Sequence, residues 1–219
     1  MTTTAPQVAH RVAAPLITRL LRPTVTDVGH VPATGGVLLA ANHASNLDNY
    51  LLSAVCPRPV AYLGKQELAR GLFGAFNVAM GMVPIERGRA DPAVIERVAA
   101  VLQDGDMVAL FPEGTRTPTG ELFRFRSGLA RIAHAADVPV VPVGIRGAAA
   151  VWPRGGRPAP RRPAPGALAV HFGPPIDPPE EPRGRARRQW TEHVRAQVAT
   201  LSGQALADTF APADDVAGR

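Results

Sequence analysis

Val37-Leu38-Leu39-Ala40-Ala41 leads without a break into Asn42-His43-Ala44-Ser45-Asn46-Leu47-Asp48. Five apolar residues in succession, with no polar alternation, fit a strand covered on both faces, the usual condition of a parallel sheet. Ser45-Asn46-Leu47-Asp48 then has the S-x-x-D form of a helix start, in which Ser45 caps and Asp48 bonds back to the cap amide. A buried strand passing through a short polar loop into a helix is the repeating unit of an α/β fold.

The pattern recurs along the chain. Residues 60–63, 83–85, 107–111, 140–145 and 168–172 read as further strands, and residues 47–55, 66–79, 92–103 and 127–136 as helices. The alternation predicts a single α/β domain with a mostly parallel central sheet flanked by helices. The 219 residues suffice for one sizeable core, and a second domain is not expected. The domain is placed at residues 31–206, after an N-terminal amphipathic segment at 1–30 and before a tail at 207–219 that is expected to fray. In the first segment Val8, Val12, Leu16, Ile17, Leu20 and Leu21 recur at helical spacing with arginines between them, although Pro15 interrupts. Such a stripe suits either an anionic membrane surface or the protein's own core. Residues 152–166, rich in proline, glycine and arginine, read as an extended surface loop. A last helix from about Arg185 to Leu206 carries Trp190, Val194, Val198 and Leu201 on one face.

The net charge is +6, and every one of the 24 cationic residues except Lys65 is an arginine. This balance suits phosphate-bearing substrates and acidic lipid headgroups. Nucleic acid is a poorer match, because aromatic residues make up 5% of the chain and no reading motif is visible. The single cysteine, Cys56, excludes an internal disulfide framework and fits a reducing compartment, where it reads as a small buried apolar residue. Residues 1–7 lack the basic start and apolar stretch of a secretory signal, so cytoplasmic residence is expected. No run of eighteen apolar residues occurs, so a lipid substrate would be met at the membrane surface, with the protein bound peripherally. No metal-ligand cluster is evident, and activity without a metal or a bound cofactor is expected.

His43 and Asp48 form a base and its orienter. Histidine takes a proton near neutral pH, and a carboxylate on its second ring nitrogen fixes the tautomer and stabilises the imidazolium. No G-x-S-x-G serine accompanies them, and no histidine lies near Cys56 in sequence, so the pair is expected to activate a substrate hydroxyl. Taken alone, His43 reads more readily as a satisfied polar residue than as a catalyst, and Asp48 equally as part of the helix start.

Three further segments follow in order: Gly81-Met82-Val83-Pro84-Ile85-Glu86-Arg87, Phe111-Pro112-Glu113-Gly114-Thr115-Arg116 and Val141-Pro142-Val143-Gly144-Ile145. With His43-x-x-x-x-Asp48 they resemble the four motifs of the glycerolipid acyltransferase family that includes lysophosphatidate acyltransferases, over roughly residues 31 to 176. F-P-E-G-T-R is the most specific of them. The resemblance implies the glycerolipid acyltransferase fold and an O-acyltransferase of phospholipid biosynthesis. It would move a fatty acyl group from the co-substrate acyl-CoA or acyl-ACP (acyl carrier protein) to the free hydroxyl of lysophosphatidate, giving phosphatidate. His43 is then the general base and Asp48 its support, with no covalent acyl-enzyme. Arg87, Glu113, Gly114, Thr115 and Arg116 are implied to bind the acceptor, the arginines through its phosphate. Read alone, Arg87 could instead pair with Glu86. A carboxylate beside a phosphate would repel it, so Glu113 is expected to orient an arginine or the glycerol hydroxyl.

Alternatives are another lysophospholipid, glycerol-3-phosphate or a non-phosphate alcohol as acceptor, or, in a different class, a catalytically silent lipid-binding protein. Leu72, Phe73, Phe76, Met80 and Met82 could line an acyl slot, contact membrane or pack in the core. Ser127 is expected to cap the helix that follows it.

Overall fold

The computed structural model describes residues 5–85, 92–159, 162–181 and 183–212. Strands β1 (Thr24–Thr26), β2 (Val37–Ala41), β3 (Val60–Lys65), β4 (Met82–Ile85), β5 (Met107–Leu110), β6 (Val140–Arg146) and β7 (Ala169–Phe172) form one sheet in the order β1-β7-β6-β2-β5-β3-β4. Every pair from β6 across to β4 is parallel, and β7 alone runs antiparallel to its neighbour β6. The helices are α1 (Ala5–Leu21), α2 (Leu47–Val55), α3 (Gly71–Ala79), α4 (Pro92–Gln103), α5 (Gly128–Ala136), α6 (Ala148–Val151) and α7 (Gly184–Ser202). The architecture is the α/β domain with a mostly parallel sheet that the apolar runs predict.

Strand β2 explains the two-sided covering. All five of its residues are fully buried. Leu39 and Ala41 join a core with Leu51 and Leu52 of α2, whereas Leu38 and Ala40 join one with Val98 of α4, Leu129 of α5 and Val194 of α7. Because side chains alternate across a strand, a continuous apolar run serves two cores. From β2 the chain crosses by α2 on one face toward β3, and from the adjacent β5 it crosses by α5 on the opposite face toward β6. Two neighbouring strands whose connections diverge leave a crevice beyond their carboxyl ends, the usual ligand position in such sheets. His43 follows β2 and Glu113 follows β5, so both fall in it.

Several elements depart from expectation. Pro15 lies inside a continuous α1, because Ala14 and Leu21 are buried and the helix packs along α2. Edge strand β1 has no sequence signal of comparable strength; it forms because Thr24–Thr26 pairs alongside Ala169, Val170 and His171 of β7. Residues 66–79 divide into a 3-10 turn, Gln66–Ala69, and α3, with Gly71 at φ +68° at the junction. Helix α7 stops at Ser202 rather than near Leu206, because Gly203 takes the left-handed cap conformation, φ +71°. The segment after it does not fray through residue 212. Leu206 bridges Leu122, the Arg124 N–H donates to the Thr209 carbonyl, and Ala207 and Ala211 are buried against Phe123. Ser127 makes no side-chain capping bond to α5. Within the loop at 152–166 Trp152 is half-buried and stacks on Tyr50, ring centroids 6.2 Å apart. Among the described residues no helix is long and apolar enough to cross a membrane.

Candidate active site

The loop after β2 is held by side chains that imitate main chain. Asn42 Nδ2 donates to the Ile145 carbonyl at 3.0 Å and its Oδ1 accepts the Ile145 N–H at 2.7 Å, prolonging the β2–β6 ladder by one residue. The next residue is His43. Its carbonyl accepts the Thr117 N–H at 2.7 Å and its N–H donates to Glu113 Oε1 at 2.9 Å, so the backbone is fixed from both sides.

The His43 ring stacks on Phe111, centroids 4.0 Å apart, and its Nδ1 lies 2.9 Å from Asp48 Oδ2. The same oxygen accepts the N–H groups of Ala44 and Ser45, each at 2.8 Å. Ser45 Oγ meanwhile accepts the Leu47 N–H at 3.0 Å and donates to the Trp152 carbonyl at 2.6 Å. The N-cap residue of α2 is Asn46, without a side-chain capping bond, rather than Ser45; the Asp48 carboxylate in the first turn instead bonds back to the amides of Ala44 and Ser45, and those bonds place it against the imidazole. With Nδ1 facing a carboxylate, Nδ1 carries the proton and Nε2 presents its lone pair. Among the described residues Nε2 has no hydrogen-bond partner, and His43 is 9% exposed. Asp48 is fully buried, and its Oδ1 has no partner among the described residues.

Glu113 occupies a different position from the acceptor contact expected of it. Its side chain is fully buried, Oε1 on the His43 N–H and Oε2 on the Phe123 N–H, both at 2.9 Å. Among the described residues no arginine hydrogen-bonds this carboxyl; Arg126 Nε donates to the Glu113 main-chain carbonyl, at 3.2 Å. The carboxyl thus ties the β2 loop to the β5 loop from beneath. Burial pushes it up to about 7 and the nearby Asp48 charge adds to that, against the two amides and Arg195, which favour its ionised form.

Gly114 sits at φ +81°, and a Cβ there would lie 2.6 Å from Arg126 Nε. Gly114→Ala is therefore expected to destabilise the fold by about 1 to 2 kcal/mol, from left-handed strain plus displacement of an anchored guanidinium. Urea denaturation checks this, and a stability equal to wild type would contradict the close approach.

Thr115 is buried. Arg116 is half-buried, its Nη1 donating to Asn46 Oδ1 at 2.9 Å, which sets a cation against the loop that carries His43 and Asp48. Arg87 lies outside the described residues. Sequence reasoning missed the roles of Asn42, Phe111 and Phe123; a polar residue ending an apolar run, as Asn42 does, was the available signal for the first. Cys56 lies in the core, its thiol pushed up to about 12 by burial, and offers no nucleophile. Among the described residues no group of three or more histidine, cysteine, aspartate or glutamate side chains is placed to hold a metal ion.

The acyltransferase family model matches residues 22–146, more than half of the chain, and that span contains every site residue discussed above apart from those bearing on Trp152 and α7. The 1-acyl-sn-glycerol-3-phosphate acyltransferase of Cocos nucifera is 34% identical over 126 residues, covering 54% of this chain and 41% of that protein. That of Bacillus subtilis is 29% identical over 120 residues, 54% of this chain and 59% of that one. A longer match, to the enzyme of the same name from Pseudomonas aeruginosa, is 28% identical over 192 residues, covering 83% of this chain and 72% of the other. The chain spans about half the length of the first two relatives. The crystal structure of the 1-acyl-sn-glycerophosphate acyltransferase from Thermotoga maritima shares the fold, with TM-score 0.70 over 91% of this chain and 80% of that one, at 24% identity.

Proposed function

Because the chain belongs to the acyltransferase family, we propose that it moves a fatty acyl group from acyl-CoA or acyl-ACP to the free hydroxyl of lysophosphatidate, giving phosphatidate. The observation that carries this reading is the His43–Asp48 pair at the crevice between β2 and β5, with Nε2 unengaged among the described residues. Nε2 takes the acceptor hydroxyl's proton as its oxygen attacks the thioester carbonyl. Asp48 stabilises the imidazolium as it forms. The tetrahedral intermediate then collapses, the carbon–sulfur bond breaks, and the proton passes from Nε2 to the departing thiolate. The enzyme returns to its starting state with no acyl group attached. Arg116, beside Asn46, supports a phosphate-bearing acceptor, since a guanidinium offers paired donors to phosphate oxygens; Arg87 is assigned the same task by its motif.

The test is thiol release from acyl-CoA and from acyl-ACP with lysophosphatidate as acceptor, with products identified by mass spectrometry. Phosphatidate formed with either donor supports the reading. Transfer only to glycerol-3-phosphate, to another lysophospholipid or to a non-phosphate alcohol would replace the acceptor, and no transfer to any of these would favour the lipid-binding alternative.

Peripheral association with the cytoplasmic membrane belongs to the same proposal. Val12, Leu16 and Leu20 of α1 are exposed at four-residue spacing, and Leu72, Phe73 and Phe76 of the adjoining α3 are exposed as well, Leu72 to 93%. Met80 and Met82 are instead buried in the domain. Apolar side chains in two neighbouring helices suit the headgroup boundary of a bilayer. The double variant Leu72→Glu, Phe73→Glu is expected to lose sedimentation with anionic phospholipid vesicles while keeping its thermal stability. Unchanged sedimentation would remove this face from the membrane contact.

A further inference from the structure

We propose that Arg195, on α7 and outside every motif, is a positioning residue for acyl transfer that acts on His43 through Phe123 and Glu113; the proposal rests on the acyl-transfer reading above. Arg195 is 3% exposed, and each of its three guanidinium nitrogens donates a hydrogen bond. Nε donates to the Phe123 carbonyl at 3.1 Å, Nη2 to the Leu122 carbonyl at 2.8 Å and also to the Ala207 carbonyl, and Nη1 to Glu192 at 2.8 Å. One planar fork therefore grips two consecutive carbonyls of the segment following the β5 loop and the C-terminal segment beside it. Phe123, held by its carbonyl, turns its N–H to Glu113 Oε2, while Glu113 Oε1 receives the N–H of His43. The continuous path is Arg195 to Phe123 main chain, to Glu113 carboxylate, to His43 main chain, and each link is a buried hydrogen bond in which a displacement is transmitted to the next.

A purely structural clamp on residues 122, 123 and 207 would need the fork but not its charge. The charge has a second consequence here. Glu113 accepts the two amide protons best as a carboxylate, since protonation makes one oxygen a hydroxyl, a weaker acceptor that must also place a proton of its own. Two charged groups bear on it, Asp48 from α2 opposing ionisation and Arg195 from α7 favouring it, while Arg126 donates to the Glu113 main-chain carbonyl. Arg195 is thus linked to the His43 loop by geometry and by charge, and the two can be separated by substitution.

Arg195→Lys keeps the charge and loses the fork; Arg195→Gln loses the charge and most of the fork. The measurements are kcat and KM for phosphatidate formation, and the infrared carboxyl titration of Glu113, assigned by its loss in Glu113→Gln. In Arg195→Lys, kcat is expected to fall about tenfold with KM little changed, because the base is misplaced rather than the acceptor site, and the Glu113 midpoint should stay near that of wild type. In Arg195→Gln, kcat should fall at least as far and the midpoint should rise. A folded Arg195→Gln protein with wild-type kcat and an unmoved midpoint overturns the proposal. Should Arg195→Gln fail to fold, wild-type kcat in folded Arg195→Lys overturns it equally. In a wild type that transfers no acyl group the functional reading fails, while the infrared midpoint still decides the link between Arg195 and Glu113.

Discussion

His43→Ala is expected to lower kcat for acyl transfer by two to four orders of magnitude, on the order of 3 to 5 kcal/mol of transition-state stabilisation, by comparison with other losses of a base or oxyanion donor. The surrounding loop should survive the change. Its fixation runs through the His43 main chain, to Glu113 and Thr117, and through Asp48 to the amides of Ala44 and Ser45, none of which needs the imidazole. The effect therefore reads as lost chemistry and not as lost fold, and circular dichroism of the variant checks that directly. Asp48→Asn separates the two duties of the carboxylate. An asparagine oxygen can still accept the amides of Ala44 and Ser45, so α2 keeps its start, but the charge that stabilises an imidazolium is gone. Its kcat should fall by less than that of His43→Ala, with KM little changed. If His43→Ala retained wild-type turnover, the base would have to be sought elsewhere.

The second large effect concerns Glu113 and has opposite signs for stability and for activity. With its carboxyl pushed up to about 7 from the ordinary 4.5, the folded protein binds the proton more tightly than the unfolded chain does. Between those two values the native state therefore carries more protons, and stability contributed by this group falls as pH rises, by at most about 1.4 kcal/mol per pH unit. Activity should move the other way. The carboxylate accepts the His43 and Phe123 amides more strongly than the protonated acid does, so turnover is expected to drop as pH falls through about 7. Glu113→Gln removes the titration and sets an amide donor against one of two N–H groups. It should flatten the stability difference between pH 5 and pH 7.5 and cost activity at every pH. Urea denaturation at the two pH values, wild type against Glu113→Gln, provides the test. Parallel pH slopes in the two proteins would show that Glu113 does not titrate in this range.

The strands and helices were legible wherever local pattern and tertiary demand agree. The run Val37–Ala41 is apolar throughout because β2 has a core on each side, and α4 shows its apolar face because Ile95, Val98, Ala99 and Leu102 all turn to the sheet. Legibility failed where a partner distant in sequence does the stabilising. Strand β1 exists because β7 lies beside it, α1 continues through Pro15 because α2 supports it, and residues 203–212 dock because Leu122 and Arg124 offer them main-chain partners and Phe123 an apolar side chain.

The site divides along the same line. His43 and Asp48 could be named from sequence because the i, i+5 spacing of a loop and a first helical turn is a local geometry, sufficient to bring an imidazole and a carboxylate together. Glu113 could be named as well, but not placed. Its role depends on whether its two oxygens meet substrate or main chain, and the amides it meets belong to residues 70 positions before it and 10 after. The same holds for Arg195, whose three carbonyl partners come from two other segments. Sequence alone determined the fold class, the family and the pairing of His43 with Asp48, because periodicity, motif and close spacing encode them locally. The tertiary structure decided which charged groups face the crevice and which hold its frame, because desolvation and hydrogen bonding at a buried group are set by whatever the fold brings beside it.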